Sequence, residues 1–250
     1  MSQGSKLWAT GEAYEPYVGR WSRLVAPEFV RWLDIPPDRD WVDVGCGTGE
    51  LTAAILANSD PRSVQGIDPS EGFIAYAKSR LPDRRMAFAA GHAQDVPCEE
   101  GSADVLVSGL VLNFVPDPVA GVAEFVRVVR VGGTVAAYVW DYSGEMQMMR
   151  YFWDAAADLD PSAKKLDEGR RSSICNADGL VGLFEGAGLR SVEARAIDVP
   201  TVFADFNDYW LPFLGGQAPA PQYAMSLEEE RRSELRELIR ERLPISSDGS

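Results

Sequence analysis

Histidine occurs once in this chain, at position 92, and cysteine three times, at positions 46, 98 and 175. With one imidazole, no second histidine is available as a general base if the first is engaged elsewhere. Three cysteines, odd in number and without a CxxC pair, argue against a disulfide frame and a zinc site and point to reduced thiols in a cytoplasm. No apolar run approaches the roughly 20 residues of a membrane span. The best stretch, 105–115, is broken by Ser108, Gly109 and Asn113. Basic residues are outnumbered, with 24 Lys and Arg against 38 Asp and Glu and a net charge of -14. Such a chain repels a phosphate backbone, and the arginines between 231 and 242 alternate with glutamates, so nucleic acid is not an expected partner. The first residues lack the basic-then-apolar order of a secretion signal. These absences together predict a soluble, cytoplasmic protein.

What is present is an ordinary globular composition, 46% hydrophobic and 25% charged over 250 residues. That length allows one elaborated α/β domain or two small ones. Residues 16–33 place Tyr17, Trp21, Leu24, Val25, Phe29, Trp32 and Leu33 mostly three or four apart, which predicts a helix bent near Pro27 and ended by Pro36 and Pro37. Strand-like runs at 41–45, 63–68, 86–91, 103–108 and 134–140 then alternate with helix-like ones at 48–58, 70–80 and 118–130. This alternation predicts a mainly parallel, doubly wound sheet with helices on both faces. Beyond Asp141 come a Met- and aromatic-rich helix (144–158), a helix at 177–186, a strand at 190–199, an aromatic, Pro- and Gly-rich lid-like stretch, and a final helix with Leu235, Leu238, Ile239 and Leu243 on one stripe. The expected organisation is an N-terminal helical cap (1–38), a core (39–200) and a C-terminal lid-like and helical segment (201–250).

The glycines of Asp43-Val44-Gly45-Cys46-Gly47-Thr48-Gly49 fall as GxGxG at the end of the first strand. Glycine there permits a tight turn and close approach of a ligand to the backbone, while the next helix offers its unpaired N–H groups. A dinucleotide fingerprint needs glycine at the sixth position, where this chain has Glu50, so NAD and an NAD-dependent oxidoreductase are disfavoured. Nineteen residues beyond Gly49, Asp68 ends the second strand-like run, where a carboxylate can accept both hydroxyls of a ribose.

The successive segments WVDVGCGTGEL, GIDPSEGFIAYAK, GHAQDVPCEEGSADVLVSGLVLNFVPDP and RVVRVGGTVAAYVW resemble the ordered motifs of class I S-adenosylmethionine-dependent methyltransferases, in the small-molecule, type 11 or UbiE-like branch. The resemblance spans about residues 12–200. It implies a Rossmann-like fold and S-adenosylmethionine as cofactor, with S-adenosylhomocysteine as product. It implies further that Gly45, Cys46, Gly47 and Gly49 pack under the methionine part, that Asp43 anchors it, and that Asp68 holds the ribose. Pro69 and Phe73 would lie near the adenine, His92, Ala93 and Gln94 would cap its edge, and the backbone at Leu110 would meet the amino group. An aromatic hydroxyl on the N-terminal helix, here Tyr17, would reach the methionine carboxylate or the acceptor.

Two features depart from the family pattern. His92 stands where an aspartate often accepts from the adenine amino group. Either its neutral imidazole accepts that bond, or it points to solvent and the Ala93 N–H and Gln94 hold the base; the second is favoured, because tautomer choice makes one imidazole an unreliable acceptor. No β-prone run follows 191–199, although the family sheet usually closes with an antiparallel hairpin of its last two strands. Candidates for a group that deprotonates the acceptor are Tyr14, Tyr17, Glu12 and Asp141, each with an ordinary reading as packing or a solvated charge. Aromatic and Met residues from three segments, Tyr14, Tyr17 and Trp21, then Trp140 and Met146, then Tyr209, Trp210 and Phe213, suit an apolar wall for a small, weakly polar acceptor. The net charge of -14 argues against an anionic acceptor, unless Arg20 and Arg23 form a local basic patch that overrides it. No metal is required for in-line methyl transfer. The expected function is methylation of a small organic molecule, with a cofactor-binding sensor or scaffold as the alternative.

Overall fold

A computed structural model describes residues 15–215 and 218–250. Tyr14 and Glu12 lie outside the described residues. The chain divides into two compact units. The first is built from 22–139 and 177–198, the second from 140–176, 199–250 and the described residues up to Trp21. Residues 140–176 pack with 199–250, their apolar faces meeting in a separate aromatic core.

In the first unit, helix α1 (Arg20–Leu33, with Pro27 inside) leads to β1 (Asp40–Val44), α2 (Glu50–Asn58), β2 (Ser63–Asp68), α3 (Glu71–Arg80), β3 (Met86–Ala90), β4 (Ala103–Gly109), α4 (Pro118–Val128) and β5 (Val129–Tyr138). The five strands are all parallel, in the order β3-β2-β1-β4-β5. β1 and β4 are buried along nearly their whole lengths, as central strands covered on both faces must be. Trp41, Val64, Val105, Val107 and Phe29 meet in the core between sheet and helices. Helix starts are capped as their sequences dictate. The Ser70 side chain accepts the Phe73 N–H, and Asp117 accepts the Ala120 N–H just ahead of Pro118.

Because β1 lies between β2 and β4, strand order reverses beside it, and the carboxyl ends of these strands frame a crevice. Asp43 pairs with Gly66 and with Val107, so the ends of all three strands are level with the glycine loop.

The strand expected at 190–199 is not formed; residues 192–198 run without pairing. β-propensity needs a partner ladder to be realised. Here the segment is held by side chains, with Ile197 packed on the core and the Arg195 guanidinium over the Trp32 ring at 5.3 Å.

The second unit contains a π-helical turn (Glu15–Gly19), α5 (Gln147–Leu159), the short α6 (Glu168–Arg171), α8 (Phe206–Trp210), α9 (Pro219–Ser226) and α10 (Glu229–Arg242); α7 (Ala177–Gly186) belongs to the first unit. Phe152 stacks on Phe213 with ring centroids 4.5 Å apart, and Tyr17, Trp153, Tyr209 and Tyr223 complete the aromatic core. No helix among the described residues is long and apolar enough to cross a membrane.

Candidate functional site

β1 ends at Val44, and the loop after it is tied to β2. The N–H groups of Gly45 and Cys46 both donate to the Ile67 carbonyl, at 2.7 and 3.0 Å. Gly45 has a φ of +77°, and a Cβ there would lie 2.3 Å from Val111 Cγ2, so both backbone and space demand glycine. Gly47 differs. Its φ of +52° also favours glycine, but an added Cβ would meet nothing nearer than the Gly45 carbonyl at 4.0 Å. Above Gly47 the backbone faces open space, a cradle that a side chain would fill.

Two carboxylates meet this loop. Asp68, 6% exposed at the end of β2, accepts the Gly47 N–H on Oδ2 at 2.9 Å and the Ser70 N–H on Oδ1 at 2.8 Å. Burial pushes its carboxyl above the usual range, while those two N–H groups and the nearby His92 pull it back. Asp43, 1% exposed, accepts the Thr52 hydroxyl on Oδ2 at 2.6 Å. Its Oδ1 is buried without a hydrogen-bond partner. Burial, with Asp68 adding to it against the pull of Thr52, raises the Asp43 carboxyl to about 7. The same burial and both carboxylates push the Cys46 thiol up, which leaves it protonated and inert, in keeping with a small packing residue in a crowded turn.

The remaining positions assigned to the cofactor lie around these groups in the same unit. Pro69 is exposed after Asp68, and Phe73 is half-buried on the first turn of α3. His92 and Gln94 are exposed on a tight bend in which the Asp95 N–H donates to the His92 carbonyl at 3.0 Å, and Ala93 is half-buried between them. Leu110, just past β4, has a φ of +60°, and its N–H donates to the Tyr138 carbonyl at 2.8 Å. A leucine held in the left-handed region stores roughly 1–3 kcal/mol of strain, and such strain clusters at ligand sites.

The candidates beyond this unit have partners inside their own. The Tyr17 hydroxyl donates to Met149 Sδ at 3.1 Å, and its ring meets Phe213 edge-on at 5.4 Å. Asp141 accepts the Ser143 hydroxyl at 2.8 Å and the Gly144 N–H at 3.0 Å on Oδ1, and the Glu145 N–H at 3.3 Å on Oδ2, so its carboxylate shapes the loop that enters α5. Arg20 forms a bidentate pair with Asp208, at 2.9 and 3.1 Å, between the faces of Trp21 and Phe203. Trp21, Met146, Tyr209, Trp210 and Phe213 do gather into one cluster, with Trp140 packed against it.

Sequence reasoning missed two residues. Thr52 sits in the first turn of α2, beneath the loop, and its only signal was its place nine residues after Asp43. Glu168 in α6 is a largely buried carboxylate that accepts the Trp153 indole N–H, and burial raises it to about 7.

A glycine loop and two buried acids at the switch point of a parallel sheet define a Rossmann-like domain with a candidate ligand site at the carboxyl ends of its strands. Residues 42–137 match the family profile described as a methyltransferase domain. Over these residues the chain is similar to class I S-adenosylmethionine-dependent methyltransferase domains, and S-adenosylmethionine is the cofactor that this likeness implies. The chain is 38% identical to the chloroplastic 2-methyl-6-phytyl-1,4-hydroquinone methyltransferase of Spinacia oleracea over 92 residues, 37% of this chain and 27% of that one. It is 27% identical to the demethylmenaquinone methyltransferase of Bacillus mycoides over 182 residues, 67% of this chain and 77% of that one. The chain thus spans well under two thirds of the spinach protein's length. Its fold is similar to the solved YcgJ protein of Bacillus subtilis, with a TM-score of 0.59, 16% identity, and coverage of 84% of this chain and 86% of that one.

S-adenosylmethionine fits the residues present. The orphaned Asp43 Oδ1 wants a donor such as an ammonium group, the space above Gly47 admits a ligand against backbone, and each Asp68 oxygen retains a lone pair for a hydroxyl.

Proposed function

We propose that this protein transfers a methyl group from S-adenosylmethionine to a small organic acceptor, and that a hydroquinone is the acceptor class to test first. The observation that carries the reading is the pair of buried carboxylates, Asp43 and Asp68, set at the ends of adjacent parallel strands around the cradle at Gly47. The hydroquinone choice is supported by the name of the spinach relative, a hydroquinone methyltransferase, and the Bacillus mycoides relative is named for demethylmenaquinone.

When bound, the cofactor supplies an electrophilic methyl group on a sulfonium. The chain's part is to hold and orient. Asp68 and the Gly47 N–H fix one another, so the ribose-binding carboxylate is already in place before a ligand arrives. Pre-set groups of this kind remove orientational entropy from the reaction, a contribution that reaches about 7–11 kcal/mol for well-aligned reactants. A net charge of -14 further favours a small-molecule acceptor over nucleic acid, and three free thiols suit a cytoplasmic setting.

The test is calorimetric titration with S-adenosylhomocysteine and, separately, NAD, followed by measurement of S-adenosylhomocysteine release with a panel of hydroquinones, phenols and amines. Binding of S-adenosylhomocysteine but not NAD, with release that depends on one acceptor class, is the expected result. Binding without release on any acceptor identifies a sensor or scaffold, and preference for NAD overturns the reading.

A further inference from the structure

The carboxyl oxygens at the glycine loop are unequally served. Both Asp68 oxygens accept backbone N–H groups, whereas Asp43 is served by Thr52, whose hydroxyl donates to Oδ2 and whose backbone N–H also favours the carboxylate, and its buried Oδ1 has no hydrogen-bond partner of normal geometry. Thr52 is itself fully buried, and its Oγ1–Oδ2 distance of 2.6 Å is that of a strong bond to a carboxylate. A carboxylate pinned at one oxygen has no freedom to rotate, so the bare oxygen keeps one direction. The groups that face Asp43 from its neighbours are few. They are Asp68 at the end of β2, the protonated Cys46 thiol on the loop and Thr52 on α2. Among the described residues none of the ion pairs involves Asp43. A buried carboxylate with a like charge beside it and no cation is held partly protonated, which agrees with its position at about 7.

We propose that Thr52 is a positioning residue for the cofactor: by holding Oδ2 it aims Oδ1 at the ligand's ammonium group, and arrival of that cation expels the Asp43 proton to solvent. The inference rests on the S-adenosylmethionine reading above. The step balances simply. The O–H bond of the acid breaks, its proton goes to the buffer, and the carboxylate formed accepts an N–H from the ammonium group. The vacated proton is replaced by a fixed positive charge, so the negative charge that burial disfavours is neutralised in the complex.

The test is calorimetry of S-adenosylhomocysteine binding in phosphate and in Tris, whose different ionisation heats report proton exchange. The parallel ligand is 5'-methylthioadenosine, which carries adenosine without the amino acid and serves as the reference. For wild type, S-adenosylhomocysteine should release about half a proton more than methylthioadenosine at pH 7, about one more at pH 6, and almost none more at pH 8.5. Asp43→Asn should abolish that excess. Thr52→Val should weaken S-adenosylhomocysteine about tenfold or more while leaving methylthioadenosine within about twofold, and Thr52→Ser should restore most of the loss. A purely structural role for Thr52 would weaken both ligands equally and overturn the positioning role. Equal proton release by the two ligands in wild type overturns the exchange, and needs no variant to fold. Failure of wild type to bind either ligand overturns the cofactor reading, and this inference with it.

Discussion

Replacing Asp43 by Asn should make the ligand-free protein more stable at alkaline pH, although it damages the site. In the folded chain burial raises this carboxyl to about 7, with Thr52 opposing and Asp68 assisting. In the unfolded chain the group titrates at about 3.9. Between those values the folded state binds more protons than the unfolded one, so stability falls as pH rises through that window. A difference of about three pH units at about 1.4 kcal/mol each comes to about 4 kcal/mol, absent at pH 3 and fully expressed above about pH 7. Asparagine is uncharged throughout and keeps a carbonyl for the Thr52 hydroxyl. Between pH 5 and 8.5 the stability of the variant relative to wild type should therefore rise by about 3 kcal/mol, since part of the penalty is already present at pH 5. Glu168, raised to about 7 in the same direction, acts in both proteins and cancels in the difference. The measurement is urea unfolding of both proteins without ligand at pH 5, 6.5 and 8.5, which follows the change directly. A constant difference at all three values would refute the claim that Asp43 is held protonated by burial.

Three further substitutions bear on the site. Asp68→Ala removes the acceptor of the Gly47 and Ser70 N–H groups and, on the proposed reading, of the ribose; at about 1.5–3 kcal/mol per bond to a charged group, S-adenosylhomocysteine should bind at least tenfold more weakly, and unchanged affinity by calorimetry would dismiss the ribose assignment. Gly47→Val should abolish measurable binding by filling the cradle, and should also lower stability by about 1–2 kcal/mol through its left-handed backbone; retained affinity would mean that no ligand approaches there. Tyr17→Phe removes the donor to Met149 Sδ and should cost about 1 kcal/mol or less in urea unfolding. If the hydroxyl also serves the cofactor or acceptor, turnover falls as well; full turnover at lowered stability assigns it to packing alone.

The central strands were legible because each is a short β-prone run bounded by glycine, proline or a cap, and because the two acids stand where those runs end. The left-handed backbone at Leu110 was not, since nothing in a leucine announces a positive φ; only the family resemblance singled that position out. Thr52 was hidden for a related reason. A threonine in an early helical turn reads as an ordinary helix residue, and its partnership with Asp43 exists only after the chain has turned through Gly47. The run 191–199 alternates apolar and charged residues convincingly, yet pairing is a property of two segments, and among the described residues no segment pairs with it. The aromatic stretches beyond Trp140 were recognisable as apolar, but their assembly into a unit of their own depends on contacts between segments widely separated in sequence.

The charge at the glycine loop carries the strongest chemical discrimination in the molecule. In dinucleotide-binding domains the corresponding loop and helix N-terminus receive a pyrophosphate, which needs N–H groups and no nearby negative charge. Here the Gly47 N–H is taken by Asp68, Asp43 lies buried beside it, and Glu50 begins the next helix in an ion pair with Arg80 at 2.5 Å. A pyrophosphate entering this loop would meet two carboxylates and find its best donor already engaged. A ligand that is neutral at the sugar and positive at its amino-acid end meets the opposite situation, since its cation offsets the negative charge that burial disfavours on Asp43. The penalty that burial sets on the Asp43 carboxylate without ligand and the preference for a cationic, adenosine-bearing ligand thus have one physical origin, a buried acid whose negative charge the ligand neutralises.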